Sequence, residues 1–599
     1  MGQDQDLKVG TTLDMPISAE ETPARLKHPK GLAVLFTTEM WERFNFYGMR
    51  AILSLFLINA LAFKDSDSSL IYGGFLGLCY LTPMLGGFMS DKFLGNRNCI
   101  TIGGLTMALG QFMLFMSASQ YKTDLHFAQT LMYIALGVII LGNGFFKPNI
   151  SSMVGSLYPK ADTRLDSAFT IFYMGINVGA FLGNFVCSTV GDVKHGDVRV
   201  VEAFRYGFLA AGCAMLLATV TFFILKNKYI VTPEGKPIGG VPKSNKSEAV
   251  ADDVIVAKFS GKSIFLASLL MLGLYFIFQY LAWDPSAMSV PAGMSGIGGY
   301  FSALASSPIK TFVYPFIYAS GISLAVFILT DKSLTKIETQ RILVIYIVGF
   351  FVIFFWACFE QAGSSLTFIA DQQTDTNILG WQMPPSLVQN FNAIFIVIFA
   401  FPFSWMWVQL SKKGKEPISP VKQSIGLLLL AAGYFVIAMR VKSLGMTEKM
   451  GVGWLIILYL LHTLGELCLS PIGLSLVSKL SPQRFSSLLF GVFFLSNAAG
   501  YALAGTLGAL IPNTTDKFVA ASSHGIDLQA VLDKRVVPTS EQMSFLQTAK
   551  ISIENPHFAG FTIHNLFEFF MVFVVLSGVA SVILFLLSGT LKKMMHGVR

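Results

Sequence analysis

The sequence predicts an all-α integral membrane protein of fourteen transmembrane helices: two six-helix bundles with two extra helices inserted between them. Three observations predict it. Of 599 residues, 53% are hydrophobic and 13% charged, with a mean hydropathy of +0.61, whereas a soluble domain carries about a quarter charged residues. Apolar runs of about 20 residues, the length a helix needs to cross about 30 Å of hydrocarbon, recur along the whole chain. The runs are continuously apolar and do not alternate with polar residues over about 10 positions, which excludes a barrel.

Taken in order, the apolar runs place helices roughly at 31–60, 69–90, 98–118, 127–156, 167–191 and 203–225, a first group of six. A polar stretch from Lys226 to Lys262, with Pro233, Pro237, Gly239, Gly240 and Pro242, then breaks the pattern as a linker does. Two further runs, 263–283 and 309–330, precede a second group of six at 341–370, 386–410, 421–440, 453–480, 486–511 and 564–590. The expected units are therefore a tail at 1–30, a bundle at 31–225, a linker with two extra helices at 226–340, and a bundle at 341–599. The polar segment from Asn513 to His564 reads as an outer loop at 513–563, long for a connection.

Charge fixes the expected orientation. With the N-terminus inside, alternate short loops carry Lys92 and Arg97, Lys160 and Arg164, Lys332 and Lys336, Lys412, Lys413 and Lys415, then Arg484. The opposite loops are poorer, and those near 285–306 and 371–384 have neither Lys nor Arg. Both termini are expected on the cytoplasmic side of the cytoplasmic (inner) membrane. The first 30 residues hold no apolar core, so no cleavable signal peptide is expected. Topology also accounts for the formal charge of +8, and nucleic acid is not an expected partner; membrane lipid is. Cys79, Cys99, Cys187, Cys213, Cys358 and Cys468 lie in or at the ends of apolar runs without zinc or redox spacing and read as small apolar fillers.

The ionisable residues deep in the apolar runs are the informative ones: Glu39, Glu42, Arg43 and Arg50 in the first, Lys147 in the fourth, Glu360 and Glu466 in the second half. Facing lipid, each would cost roughly 2.5 to 3.5 kcal/mol near a helix centre, and the set on the order of 20 kcal/mol, above a typical net stability. They must face a polar interior and one another. Glu39, Glu42, Arg43 and Tyr47 are spaced by three and four residues, and so share one face of the first helix with Arg50 a turn further on. Four acids against three bases leave one carboxylate without a partner, and a desolvated carboxylate without a partner takes up a proton. No nucleophile elbow, metal cluster or cofactor motif is present, so an enzyme is not expected, nor a cofactor or metal.

Two stretches carry a resemblance. Gly86, Gly87, Asp91, Lys92, Gly95 and Arg97, between the second and third runs, resemble the signature of the major facilitator superfamily; physically, the glycines allow close helix approach and a tight turn. The stretch Glu39, Met40, Trp41, Glu42, Arg43, Phe44, Asn45, Phe46, Tyr47 closely resembles the pattern of the proton-dependent oligopeptide transporters of bacteria, with Phe46 where the family has tyrosine. Gly144 to Asn149, Phe172 to Gly179, Trp356 with Phe359, Glu360 and Gln361, then Asn392, and Gly465 to Pro471 match as well. Ala393 and Phe493 stand where many members have proline and tryptophan, and the second run lacks the histidine that some members protonate.

The resemblance implies proton-coupled import of di- and tripeptides by alternating access. It implies proton coupling at Glu39, Glu42, Arg43 and Glu360, and capture of the peptide carboxylate by Arg43, Arg50 and Lys147. Glu466, Asn177 and Asn392 would hold the ammonium end, with Tyr47, Tyr80, Trp356 and Ser470 shaping the middle. Gate salt bridges are implied between Arg50 and Glu360 on the outer side and between Lys147 and Glu466 on the inner side. His462 reads as an interhelical hydrogen-bonder. The alternatives are another small solute, such as nitrate, on the same fold, or drug export.

Overall fold

The computed structural model describes residues 28–158, 164–196, 198–232, 235–241, 259–282, 304, 307–445 and 448–598. The tail up to residue 27, Lys160, Pro233, Pro242 and most of the loop expected at 285–306 lie outside these residues.

The first half comprises α1 (Lys30–Asn59), α2 (Asp65–Met89), α3 (Asn96–Gln120), α4 (Leu125–Ser156), α5 (Leu165–Gly191) and α6 (Phe204–Tyr229). The inserted pair is α7 (Gly261–Leu281) and α8 (Tyr314–Leu329). The second half holds α9 (Lys336–Phe359), α10 (Ser365–Gln372), α11 (Asn390–Lys412), α12 (Ser419–Lys442), α13 (Gly453–Leu480) and α14 (Ser486–Gly508). After three short helices, α15 (Thr515–Ser523), α16 (Leu528–Leu532) and α17 (Ser540–Thr548), it closes with α18 (Leu566–Met594). Among the described residues, 13 helical stretches are long and apolar enough to cross a membrane. The expected fourteenth is α1, which has the length but not the composition: every 18-residue stretch of it holds at least three of Glu39, Glu42, Arg43 and Arg50.

Within the first half α1 packs on α5 and α6, α3 on α4 and α6, and α2 on α4; within the second, α12 packs on α13 and α18, and α9 on α14 and α18. The halves meet where α2 touches α14 and α5 touches α11. The inserted α7 packs chiefly on α8, and α8 on α14. Glycine sets the closest of these approaches. A Cβ on Gly86 would lie 1.9 Å from the Gly144 carbonyl, so α2 and α4 can touch only without one. Arg97 joins the start of α3 to the end of α6, donating to Asn227 Oδ1 at 2.9 Å and to the Ile238 carbonyl at 2.5 Å.

The run expected at 341–370 is not one helix. It unwinds at Glu360–Gly363 into a 3₁₀ turn before resuming as α10. Side chains take up the freed backbone groups: Gln361 Nε2 donates to the Ala357 and Ala504 carbonyls, both at 2.9 Å, and Thr367 Oγ1 to the Ala362 carbonyl at 2.7 Å. The polar segment 513–563 likewise differs from a plain loop. Its helices α15 to α17 enclose an apolar cluster of Ala521, Ile526, Leu528, Val531, Leu532 and Leu546. Two-residue strands form short hairpins at 194–199, 377–382 and 557–562. The face that carries these and the ends of α1, α5 and α10 is termed the outer face, after the orientation the loop charges imply.

Candidate functional site

A cavity of about 380 Å³ lies between the halves. The first half contributes Arg43, Tyr47, Arg50, Tyr80, Lys147 and Asn177; the second contributes Trp356, Asn392, Glu466 and Ser470. All ten residues expected to bind substrate thus line one space. Asn184, Gln389 and Asn497 line it too, and sequence reasoning missed them because neutral amides carry no signal in a polar-lined helix.

On α1, Arg43 Nε is 3.0 Å from Glu39 Oε1 and 2.5 Å from Glu42 Oε2, with all three side chains buried. One guanidinium therefore serves two carboxylates. Glu39 Oε2 and Arg43 Nη2 have no hydrogen-bond partner, so the cluster is not saturated. Lys147 acts on both glutamates at longer range and places its ammonium 3.8 Å from the centre of the Tyr80 ring. Arg43 also lies 5.7 Å over Phe46, whose ring stacks on Phe75 at 6.1 Å, so the position that departs from the family pattern packs beneath the charge.

Toward the outer face, Arg50 Nη2 is 3.2 Å from Glu360 Oε2 and Nη1 donates to Oε1 at 3.3 Å, a two-point pairing across the halves. Tyr72 donates to Glu360 Oε2 at 3.5 Å. Ser54 Oγ donates to the Gly363 carbonyl at 2.5 Å, and Gln389 Nε2 to the Ala51 carbonyl at 3.2 Å. The unwound turn after α9 lets these groups meet. A Cβ on Gly363 would lie 1.8 Å from the Tyr72 hydroxyl, so Gly363→Ala should displace that ring and cost roughly 1 to 3 kcal/mol by overpacking. A lowered melting temperature in detergent is the expected result; an unchanged one contradicts the packing described.

Above this pair lies a second set that sequence reasoning did not find. Arg199 in the α5–α6 hairpin is 2.6 Å from Asp371 on α10 and also pairs with Asp192, while Lys194 pairs with Asp371. The Ser386 N–H donates to Asp192 Oδ2 at 2.9 Å. A signal was available: cations in a loop of the lysine-poor side need acids, and Asp371 stands at the end of an apolar run.

The inner end is different. Lys147 and Glu466, the expected inner gate, do not pair with each other here. Glu466 accepts from Asn392 Nδ2 at 2.9 Å and has no cation partner among the described residues. Tyr173, on the cavity wall, is 51% exposed. The Arg50–Glu360 and Arg199–Asp371 pairs close the cavity on the outer side. Asn177 Nδ2 donates to the Tyr173 carbonyl of its own helix at 2.9 Å. His462 hydrogen-bonds across helices as expected, to the Leu430 backbone on α12, while its Nε2 lies against Gly433 without a partner.

The sequence profile of the POT family matches residues 97–524. The chain belongs to the POT family. The transporter YclF of Bacillus subtilis, itself uncharacterized, is 31% identical over 81% of this chain and 89% of its own length. The peptide transporter YePEPT of Yersinia enterocolitica is 32% identical over 80% of this chain and 88% of its own. The crystal structure of a POT family transporter in complex with 5-aminolevulinic acid superposes with a TM-score of 0.68 at 25% identity, covering 95% of this chain and 98% of that one. The POT family is one of transporters, and the fold is that of the major facilitators with two helices added between the halves.

Proposed function

We propose that the protein imports di- and tripeptides together with protons across the cytoplasmic membrane by alternating access. The observation that carries this is the division of charge in one cavity. Arg43 and Lys147 stand on the first half; Glu466, without a cation, stands on the second. A short peptide with free ends presents one carboxylate and one ammonium whatever its side chains, and such a cavity reads the ends. The Yersinia relative is named a peptide transporter, and the ligand of the superposed structure carries an amine and a carboxylate.

Charge balance supports the proton. Glu39, Glu42, Arg43 and Lys147 sum to neutral when the cavity is empty, and a peptide carboxylate adds one negative charge. A proton on one glutamate restores neutrality in a medium where net charge is costly, and it frees Arg43 for the substrate. The ammonium end neutralises Glu466. Residues 31–225 and 341–599 act as the moving halves, with 226–340 joining them. Arg50 with Glu360 is the outer gate, and Lys147 closes on Glu466 when the inner side shuts. Loop lysines and arginines put both termini in the cytoplasm.

Uptake of a labelled dipeptide into proteoliposomes under an inward proton gradient tests this, with uphill accumulation expected. The same assay tests recognition of the ends. An N-acetylated, C-amidated dipeptide should compete at least tenfold more weakly than the free one, since each blocked end strands a buried charge. Equal competition contradicts end recognition, and no accumulation under any gradient contradicts peptide symport.

A further inference from the structure

The segment 513–563 is a small folded unit attached to the second half. Asn513 at its start is joined to Ser552 beyond α17, with Asn513 Nδ2 donating to the Ser552 carbonyl at 2.7 Å and the Ser552 N–H to Asn513 Oδ1 at 3.3 Å. Its apolar cluster fills the inside, and a capping box on Thr539 fixes the start of α17. It is anchored to the second half. Thr514 Oγ1 donates to Gln372 Oε1 at 2.6 Å, the Thr515 N–H to Gln373 Oε1 at 2.9 Å, and Asp516 lies 3.4 Å from Lys449.

From this base two lysines cross to the first half. Lys517 pairs with Asp65 at the start of α2, in a largely buried contact. Lys550 Nζ donates to the Ile58 carbonyl at 3.2 Å, at the end of α1 where helix carbonyls are unfilled and the dipole favours a cation. Lys550 follows the end of α17 with a φ of 55°, and the bonds from its N–H to Gln547 and from the Ile551 N–H to Leu546 close that helix.

We propose that the 513–563 unit is an outer clasp: carried by the second half, it grips the ends of α1 and α2 through Lys517 and Lys550 and biases the transporter toward its outside-closed state. The inference rests on the alternating-access reading above. Opening the outer side separates the halves, so Arg50 must part from Glu360, Arg199 from Asp371, and the two lysines from Asp65 and the Ile58 carbonyl. Lys517 and Lys550 differ from the rest in touching no substrate and no coupling residue, so they set the balance between states and not the chemistry of transport. The Lys517–Asp65 contact is largely buried, so salt screens it far less than it screens an exposed pair.

The test uses the full chain in lipid nanodiscs, without substrate, with spin labels on the outer ends of α1 and α14. Lys517→Gln with Lys550→Gln should raise the population with the longer, outside-open distance about three- to tenfold and leave the melting temperature within a few degrees. An unchanged distance distribution in a folded double variant overturns the clasp and leaves the peptide reading intact. A second experiment guards against loss of folding. In a Cys213→Ser background, which removes the exposed native cysteine, Asp65→Cys and Lys517→Cys are joined by a cleavable bifunctional thiol reagent. Joining should stop uptake and cleaving should restore it; uptake that survives full cross-linking overturns the proposal.

Discussion

Glu42→Gln should abolish accumulation of dipeptide under a proton gradient while leaving exchange of unlabelled for labelled peptide. One guanidinium stands between two carboxylates: Arg43 Nε lies 2.5 Å from Glu42 and 3.0 Å from Glu39. Glutamine keeps the shape and the carbonyl acceptor but cannot titrate. With Glu42 neutral, Glu39, Arg43 and Lys147 carry a net positive charge, as the proton-loaded state would, so the peptide carboxylate still has its partner. Exchange needs only that binding and the swing of the halves. Uphill movement needs the proton to leave on the inner side, and in the variant nothing leaves. Accumulation should fall to the equilibrium level, with exchange within a fewfold of the unaltered protein. Should Glu42→Gln still accumulate peptide uphill, Glu42 is structural and Glu360 becomes the next coupling candidate.

Much of this was legible in the sequence because lipid is an unforgiving solvent. A run such as Leu566 to Leu587 cannot be anything but a spanning helix, and a charge such as Glu466 inside one cannot face outward, so cost fixed the helices and the charged cavity residues, while Tyr80, Asn177, Trp356, Asn392 and Ser470 came from the family resemblance. The same rule explains α1, which carries Glu39, Glu42, Arg43 and Arg50 inside its length and is the most informative of the helices. What escaped notice depends on distance in space. Asp192, Arg199 and Asp371 lie in or beside loops, where charges cost little, and only the closed fold brings them together. The break at Glu360–Gly363 was hidden because Gln361 and Thr367 satisfy the opened backbone, a repair that leaves no trace in hydropathy. Segment 513–563 read as a loop because its apolar residues form a cluster too small to stand out as a run.

Glu466→Gln should behave unlike Glu42→Gln, weakening accumulation and exchange together. In the empty cavity Glu466 accepts one hydrogen bond, from Asn392 Nδ2 at 2.9 Å, and no cation neutralises it. It stands across from Arg43 and Lys147, so the peptide's ammonium is the charge that it lacks. Glutamine can keep the bond from Asn392, and the fold should be undisturbed. What is removed is the countercharge: a desolvated ammonium left facing an amide. Losing one partner of a buried charge pair costs roughly 2 to 5 kcal/mol, which corresponds to about 30-fold to more than a thousandfold in affinity. Since exchange and accumulation both begin with that binding step, both should fall by the same factor at low peptide concentration. Raising the peptide should recover exchange before it recovers a gradient-driven steady state. A peptide analogue lacking the ammonium should bind the variant and the unaltered protein almost equally, because neither can use the missing charge. If the variant binds the free dipeptide as tightly as before, by calorimetry in detergent, the ammonium is held elsewhere, and Glu466 serves only to close on Lys147 at the inner side.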